Sequence, residues 1–116
     1  MADSNLSDLS IDFAVKVLKL CEQIEGHYSL VNQLERSATS IGANIREAQF
    51  AHGKADFISK LQIALKECSE TRYWLELLYE AGYIDSKSYQ SIYADCDELM
   101  KILSASTKTI KAEQSE

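Results

Sequence analysis

The sequence contains no proline and little glycine. Without proline no residue lacks its backbone N–H, so long uninterrupted helices are allowed. The four glycines, Gly26, Gly42, Gly53 and Gly82, form no Gly-rich loop of the kind that cradles phosphates. Apolar runs last only a few residues, far short of the roughly 18 needed to cross a bilayer. The first ten residues, MADSNLSDLS, are acidic and polar and do not resemble a signal peptide. The chain therefore reads as cytoplasmic, with no membrane partner.

Histidine is also scarce. His27 and His52 both lie beside predicted loops, and neither follows a glutamate by three residues. That excludes the paired Glu-x-x-His motif of di-iron bundles and leaves a hydrolytic triad without its base. Cys21, Cys68 and Cys96 make an odd count without a CxxC, each on a different predicted helix. They read as buried thiols of a reducing compartment. The net charge of −6 argues against a strong nonspecific grip on nucleic acid, though not against a local basic patch. No cofactor, metal or small-molecule substrate is expected, and the chain does not read as an enzyme. Glu67 and Glu70 have the residue types of an acid–base pair, but their helical spacing in an acidic chain favours a structural or solvated role.

What is present is helical periodicity. A chain of 116 residues is long enough for one domain with a real core. Four segments, about 7–25, 29–51, 55–81 and 86–111, carry apolar residues every third or fourth position. The first has Phe13, Val17, Leu20 and Ile24, widened by Val15, Leu18 and Cys21. The second starts from a Ser29 cap and has Leu30, Leu34, Ser37 or Ala38, Ile41, Ile45 and Ala48. The third has Phe57, Leu61, Ala64, Cys68, Thr71, Leu75 and Leu78. The fourth, capped by Asp85 or Ser86, has Ile92, Cys96, Leu99, Leu103, Ser106 and Ile110. Gly26, Gly53 and Gly82 terminate the first three. Short loops force antiparallel neighbours, so residues 1–116 are expected to form a single all-α domain, an antiparallel up-down-up-down four-helix bundle.

Gly42 does not fit the terminator pattern. A mid-helix glycine costs about 1 kcal/mol relative to alanine, and the small residues Ser37, Ala38, Ser40 and Ala43 around it leave room for a neighbouring helix. Asn44 and Glu47, three apart, share part of a face. Two readings stand. Either Asn44 and Glu47 join a polar network with Arg36, Glu67 and Glu70, or Gly42 is a tolerated weak point and both polar residues face water.

The run Ser40-Ile41-x-x-Asn44-Ile45-x-Glu47 resembles the SIxxNIxE signature of the bacterial four-helix-bundle family also called the ribosomal-RNA intervening-sequence proteins. Gln33-Leu34-x-Arg36 precedes it as in that family. Phe57-x-x-x-Leu61-x-x-Ala64-Leu65-x-Glu67-x-x-Glu70-x-x-x-Trp74-Leu75 and Gly82-Tyr83-Ile84 follow. The resemblance covers about residues 33–84 in detail. Gly42 stands where the family commonly has proline, and Ala48 where glycine is usual. The resemblance implies a four-helix bundle assembled as a homopentamer, without established enzymatic activity. A more distant relative of that family is the accessory variability protein of diversity-generating retroelements, which partners a reverse transcriptase and binds nucleic acid.

Two further surfaces stand out. Trp74, Leu77 and Ala81 make a second apolar stripe on the third segment, and Tyr73, Trp74 and Tyr79 have the character of interface anchors. Tyr73, Trp74 and Leu77 are thus the candidate oligomer interface. Lys101, Lys108 and Lys111 share a face of the fourth segment and are the candidate contacts to RNA or DNA. The expected function is that of a non-catalytic homo-oligomeric accessory or adaptor protein that associates with nucleic acid. The alternative is an acidic protein–protein scaffold that does not.

Overall fold

The computed structural model describes the backbone of residues 2–115, with side chains described for 5–112. It consists of four helices: α1 (Ala2–Glu22), α2 (Tyr28–Gln49), α3 (Gly53–Glu80) and α4 (Ser86–Ser115). Each packs on its sequence neighbour and α1 closes on α4, while among the described residues the diagonal pairs α1/α3 and α2/α4 make no backbone approach. The result is an antiparallel bundle 50 × 20 × 19 Å. Among the described residues no helix is long and apolar enough to cross a membrane.

One continuous core runs the length of the bundle. Its fully enclosed side chains include Val17, Leu34, Ile41, Ile45, Leu75, Leu78, Leu99 and Leu103, the positions that recur every three or four residues. Burying each such side chain contributes about 1.5–3 kcal/mol, far more than the propensity of any one helix. Several expected positions shift by one residue. Val31, Ile58 and Thr107 are buried where Leu30, Phe57 and Ser106 are only half-buried, because 3.6 residues per turn drifts against a repeating three-four stripe. A larger correction concerns α1. Cys21 is enclosed, but Val15 and Leu18 lie on the outer surface with Ile11. Their spacing makes a stripe, and the rotation of α1 turns that stripe away from the core.

The ends of the helices also differ from expectation. α1 finishes at Glu22, and Gln23 and Ile24 bond back to the carbonyls of Leu20 and Cys21 in tighter turns. Gly26 and His27 follow with positive φ. His27, not Ser29, is the cap of α2, and it caps with its carbonyl, which accepts from Leu30 and Val31 N–H. Its ring packs edge-on against Tyr83 at 4.8 Å, which ties the first loop to the third at one end of the bundle. Gly53 opens α3 instead of closing α2. Gly82 does close α3: Tyr83 N–H bonds Leu78 O and Gly82 N–H bonds Tyr79 O, the paired arrangement that satisfies the last carbonyls. Asp85 caps α4 by accepting from Ser88 N–H at 2.7 Å, which holds its carboxyl below the usual aspartate range.

Candidate functional site

The expected polar network divides in two. On the α2–α3 seam Arg36 reaches Glu67 at 3.5 Å and also contacts Glu70. Gln33 accepts from Arg36 Nε at 3.2 Å. The Trp74 indole N–H donates to Glu70 Oε1 at 3.2 Å, and Tyr73 packs edge-on against the indole at 5.0 Å. Behind this cluster the buried Thr71 hydroxyl donates to Ser37 Oγ at 2.9 Å. Helical spacing alone stacks Glu67, Glu70 and Trp74 on one face of α3; the register of α2 brings Arg36 to it.

Asn44 and Glu47 do not join the cluster. Asn44 Nδ2 donates to the Ser40 carbonyl of its own helix at 2.8 Å. Glu47 is exposed and pairs with Lys60 at 3.3 Å. Both sit two or more turns past Arg36 toward the other end of α2, out of reach of Glu67 and Glu70. Gly42 faces α1, where Ser10 approaches.

The cluster is electrostatically uneven. Glu70 has two donors, Arg36 and Trp74. Glu67 is the more enclosed, and its Oε1 is buried without a donor. Burial pushes the Glu67 carboxyl above the ordinary glutamate range, a hydrogen bond to Glu70 raises it further, and Arg36 pulls the other way.

Tyr73 is well exposed, whereas Trp74 and Leu77 are half-buried. Tyr79 is half-buried and stacks on Tyr89 within the chain at 4.2 Å. Lys101 and Lys108 line an open groove between α3 and α4 together with Arg72, Asp97 and Ser104. Lys111 lies beyond it and is exposed. Arg72 escaped sequence reasoning. It pairs with Asp97 at 2.7 Å and lies 5.3 Å from the centre of the Tyr93 ring, and no spacing within either helix signals that contact. Ile11, exposed beside Val15 and Leu18 on α1, extends those two residues into an outward-facing stripe that the sequence reading did not include. It borders a groove between α1 and α2 lined by Ile11, Ala14, Thr39, Gly42 and Ala43. Among the described residues no three His, Cys, Asp or Glu side chains gather in a metal-binding set.

Comparison with known proteins agrees with this architecture. A crystal structure of a protein of unknown function from the S23 ribosomal protein family of Bacteroides thetaiotaomicron superimposes with a TM-score of 0.87 at 46% identity, covering 93% of this chain and 99% of that one. No curated protein matches the chain. The model of the family described as 23S rRNA-intervening sequence protein matches residues 2–105. The chain belongs to the 23S rRNA-intervening sequence protein family.

Proposed function

We propose that the protein is a non-catalytic building block that assembles with copies of itself and serves as an accessory or adaptor. The observation that carries this reading is apolar surface left outside the core on two helices that do not touch. Ile11, Val15 and Leu18 of α1 and Tyr73 of α3 are all exposed, and α1 and α3 occupy opposite corners of the bundle. Two different sticky faces on opposite corners favour head-to-tail contacts, which close into a ring when the rotation allows. The family resemblance favours a ring of five. Three free, buried thiols suit the reducing cytoplasm. The mass of the native assembly by light scattering tests the reading: a value near five times 13.0 kDa is expected, and a monomer at micromolar concentration overturns it.

A second reading adds nucleic acid. Arg72, Lys101 and Lys108 line one groove, with the Ser104 hydroxyl beside them. In a ring that groove would repeat, so several weak phosphate contacts would act together. Binding of single-stranded RNA that weakens with salt, and weakens further in Lys101→Gln/Lys108→Gln, is expected. Absence of binding at low salt leaves the acidic protein–protein scaffold as the function.

A further inference from the structure

Glu67 and Glu70 stand one helical turn apart on α3, and a single guanidinium, Arg36 of α2, serves both. Two carboxylates against one guanidinium leave one negative charge in excess; a single proton makes the trio neutral. Geometry says where the proton belongs. Glu70 already accepts from Arg36 and from Trp74 Nε1, as a charged carboxylate does. The Glu67 side chain keeps only 16% of its exposure, Arg36 approaches its Oε2 at 3.5 Å, and Oε1 has no donor. An enclosed oxygen in that state is unfavourable when charged. A proton removes the charge and supplies an O–H that Glu70 is placed to accept.

We propose that Glu67 and Glu70 act as one proton-binding unit, with Glu67 holding the proton, Glu70 holding the charge, and Trp74 sensing the proton's release.

The groups facing the pair are few. α2 brings Arg36, steadied by Gln33. α3 brings Glu70 and the Cys68 thiol, and Cys96 of α4 lies against that thiol. Burial, first, and then the hydrogen bond to Glu70 favour the protonated form of Glu67, and both outweigh Arg36. When the proton leaves, Glu67 competes with Glu70 for Arg36, and the grip of Glu70 on the Trp74 N–H changes. The unit lies beside the exposed Tyr73, so the charge of that surface changes with pH by one per chain. This holds for the single chain and does not depend on assembly.

Trp74 is the only tryptophan, so its fluorescence reads the site directly. The experiment is a pH titration of the intact protein between about pH 4 and 9, followed by tryptophan emission and far-UV circular dichroism. Wild type is expected to show an emission step with its midpoint above the ~4.3 of a free glutamate and no change in helicity. Glu67→Gln, which mimics the protonated group, is expected to abolish the step. Glu70→Gln removes the hydrogen-bond acceptor charge and the like-charge repulsion, so it should move the midpoint to lower pH. A step that survives in Glu67→Gln, or a midpoint unmoved in Glu70→Gln, overturns the proposal; so does a wild-type titration without a step above the free-glutamate value. The Glu70→Gln arm stands by itself should Glu67→Gln not fold.

Discussion

Ser10 of α1 and Gly42 of α2 meet where the two helices cross: a β-carbon on residue 42 would stand 3.0 Å from Ser10 Oγ and 3.4 Å from its Cβ. Ser10 has little freedom to retreat. It is buried, and its hydroxyl donates to the Ser7 carbonyl at 2.7 Å. The mid-helix glycine thus allows a hydroxyl-bearing turn of α1 to lie on the backbone of α2. In wild type, Gly42→Ala is expected to gain little or lose stability, because about 1 kcal/mol of helix propensity is offset by the displaced serine. With Ser10→Ala the obstruction falls to ordinary contact and the propensity gain should appear. Urea unfolding of the two single variants and the double variant measures the coupling, expected at 0.5 kcal/mol or more. Additive values would show that Ser10 does not constrain residue 42.

Much of the fold was legible because it depends on a local period. Leu61, Ala64, Cys68, Leu75 and Leu78 are buried as their spacing requires, and Gly82 terminates α3 with positive φ. Gly53 was misread because a glycine of positive φ at the edge of a short loop can as well open the next helix as close the previous one. Val15 and Leu18 were misread because a helix with two apolar stripes does not encode which one its neighbours will cover. Arg36 illustrates the remaining limit. Its partners lie 31 and 34 residues away, and only the register of α2 on α3 brings them together. The same register sends Glu47 to Lys60 and leaves Asn44 bonded within its own helix. The signature residues therefore share a helix without sharing a site.

The α1 stripe offers a test of assembly with little effect on the monomer. Val15 is 44% exposed and lies outside the core, so Val15→Ser should change single-chain stability by no more than about 0.5 kcal/mol. If the stripe seats another copy, Val15→Ser together with Ile11→Ser should lower the native mass while helicity stays constant. Trp74→Ala should lower both mass and stability, since the indole packs against the core and bonds Glu70. A native mass unchanged in the α1 double variant would remove that face from the contact.

The Glu67–Glu70 pair also predicts a pH dependence of stability, with a definite sign. The Glu67 carboxyl is raised by burial and by its neighbour Glu70, so the native protein holds a proton that the unfolded chain gives up sooner. Stability from this group is complete below the unfolded value, ~4.3, and is lost as pH rises through the native value. Glu67→Gln keeps the neutral form at every pH. Its urea midpoint should therefore exceed that of wild type at pH above neutrality, and the difference should shrink on acidification. The opposite trend would mean that Arg36 stabilises a charged Glu67.

The three thiols should be poor nucleophiles in the folded protein and ordinary ones in the unfolded chain. All are free and buried. Burial, assisted by the charge of Glu35, pushes Cys21 up to about 12. Cys68 is pushed up by its hydrogen bond with Cys96 and by burial, while Cys96 Sγ donates to the Cys68 carbonyl at 3.4 Å. Because the thiolate is the reactive species, labelling by a disulfide reagent near pH 8 should proceed only through opening of the bundle. Its rate should rise with urea in parallel with the unfolding transition, reaching three thiols per chain. Cys21 should react first if the end of α1 opens locally, since it lies in the last helical turn. Prompt labelling of Cys68 in the native protein would contradict the packing of α3 against α4, because that thiol has no exposed surface.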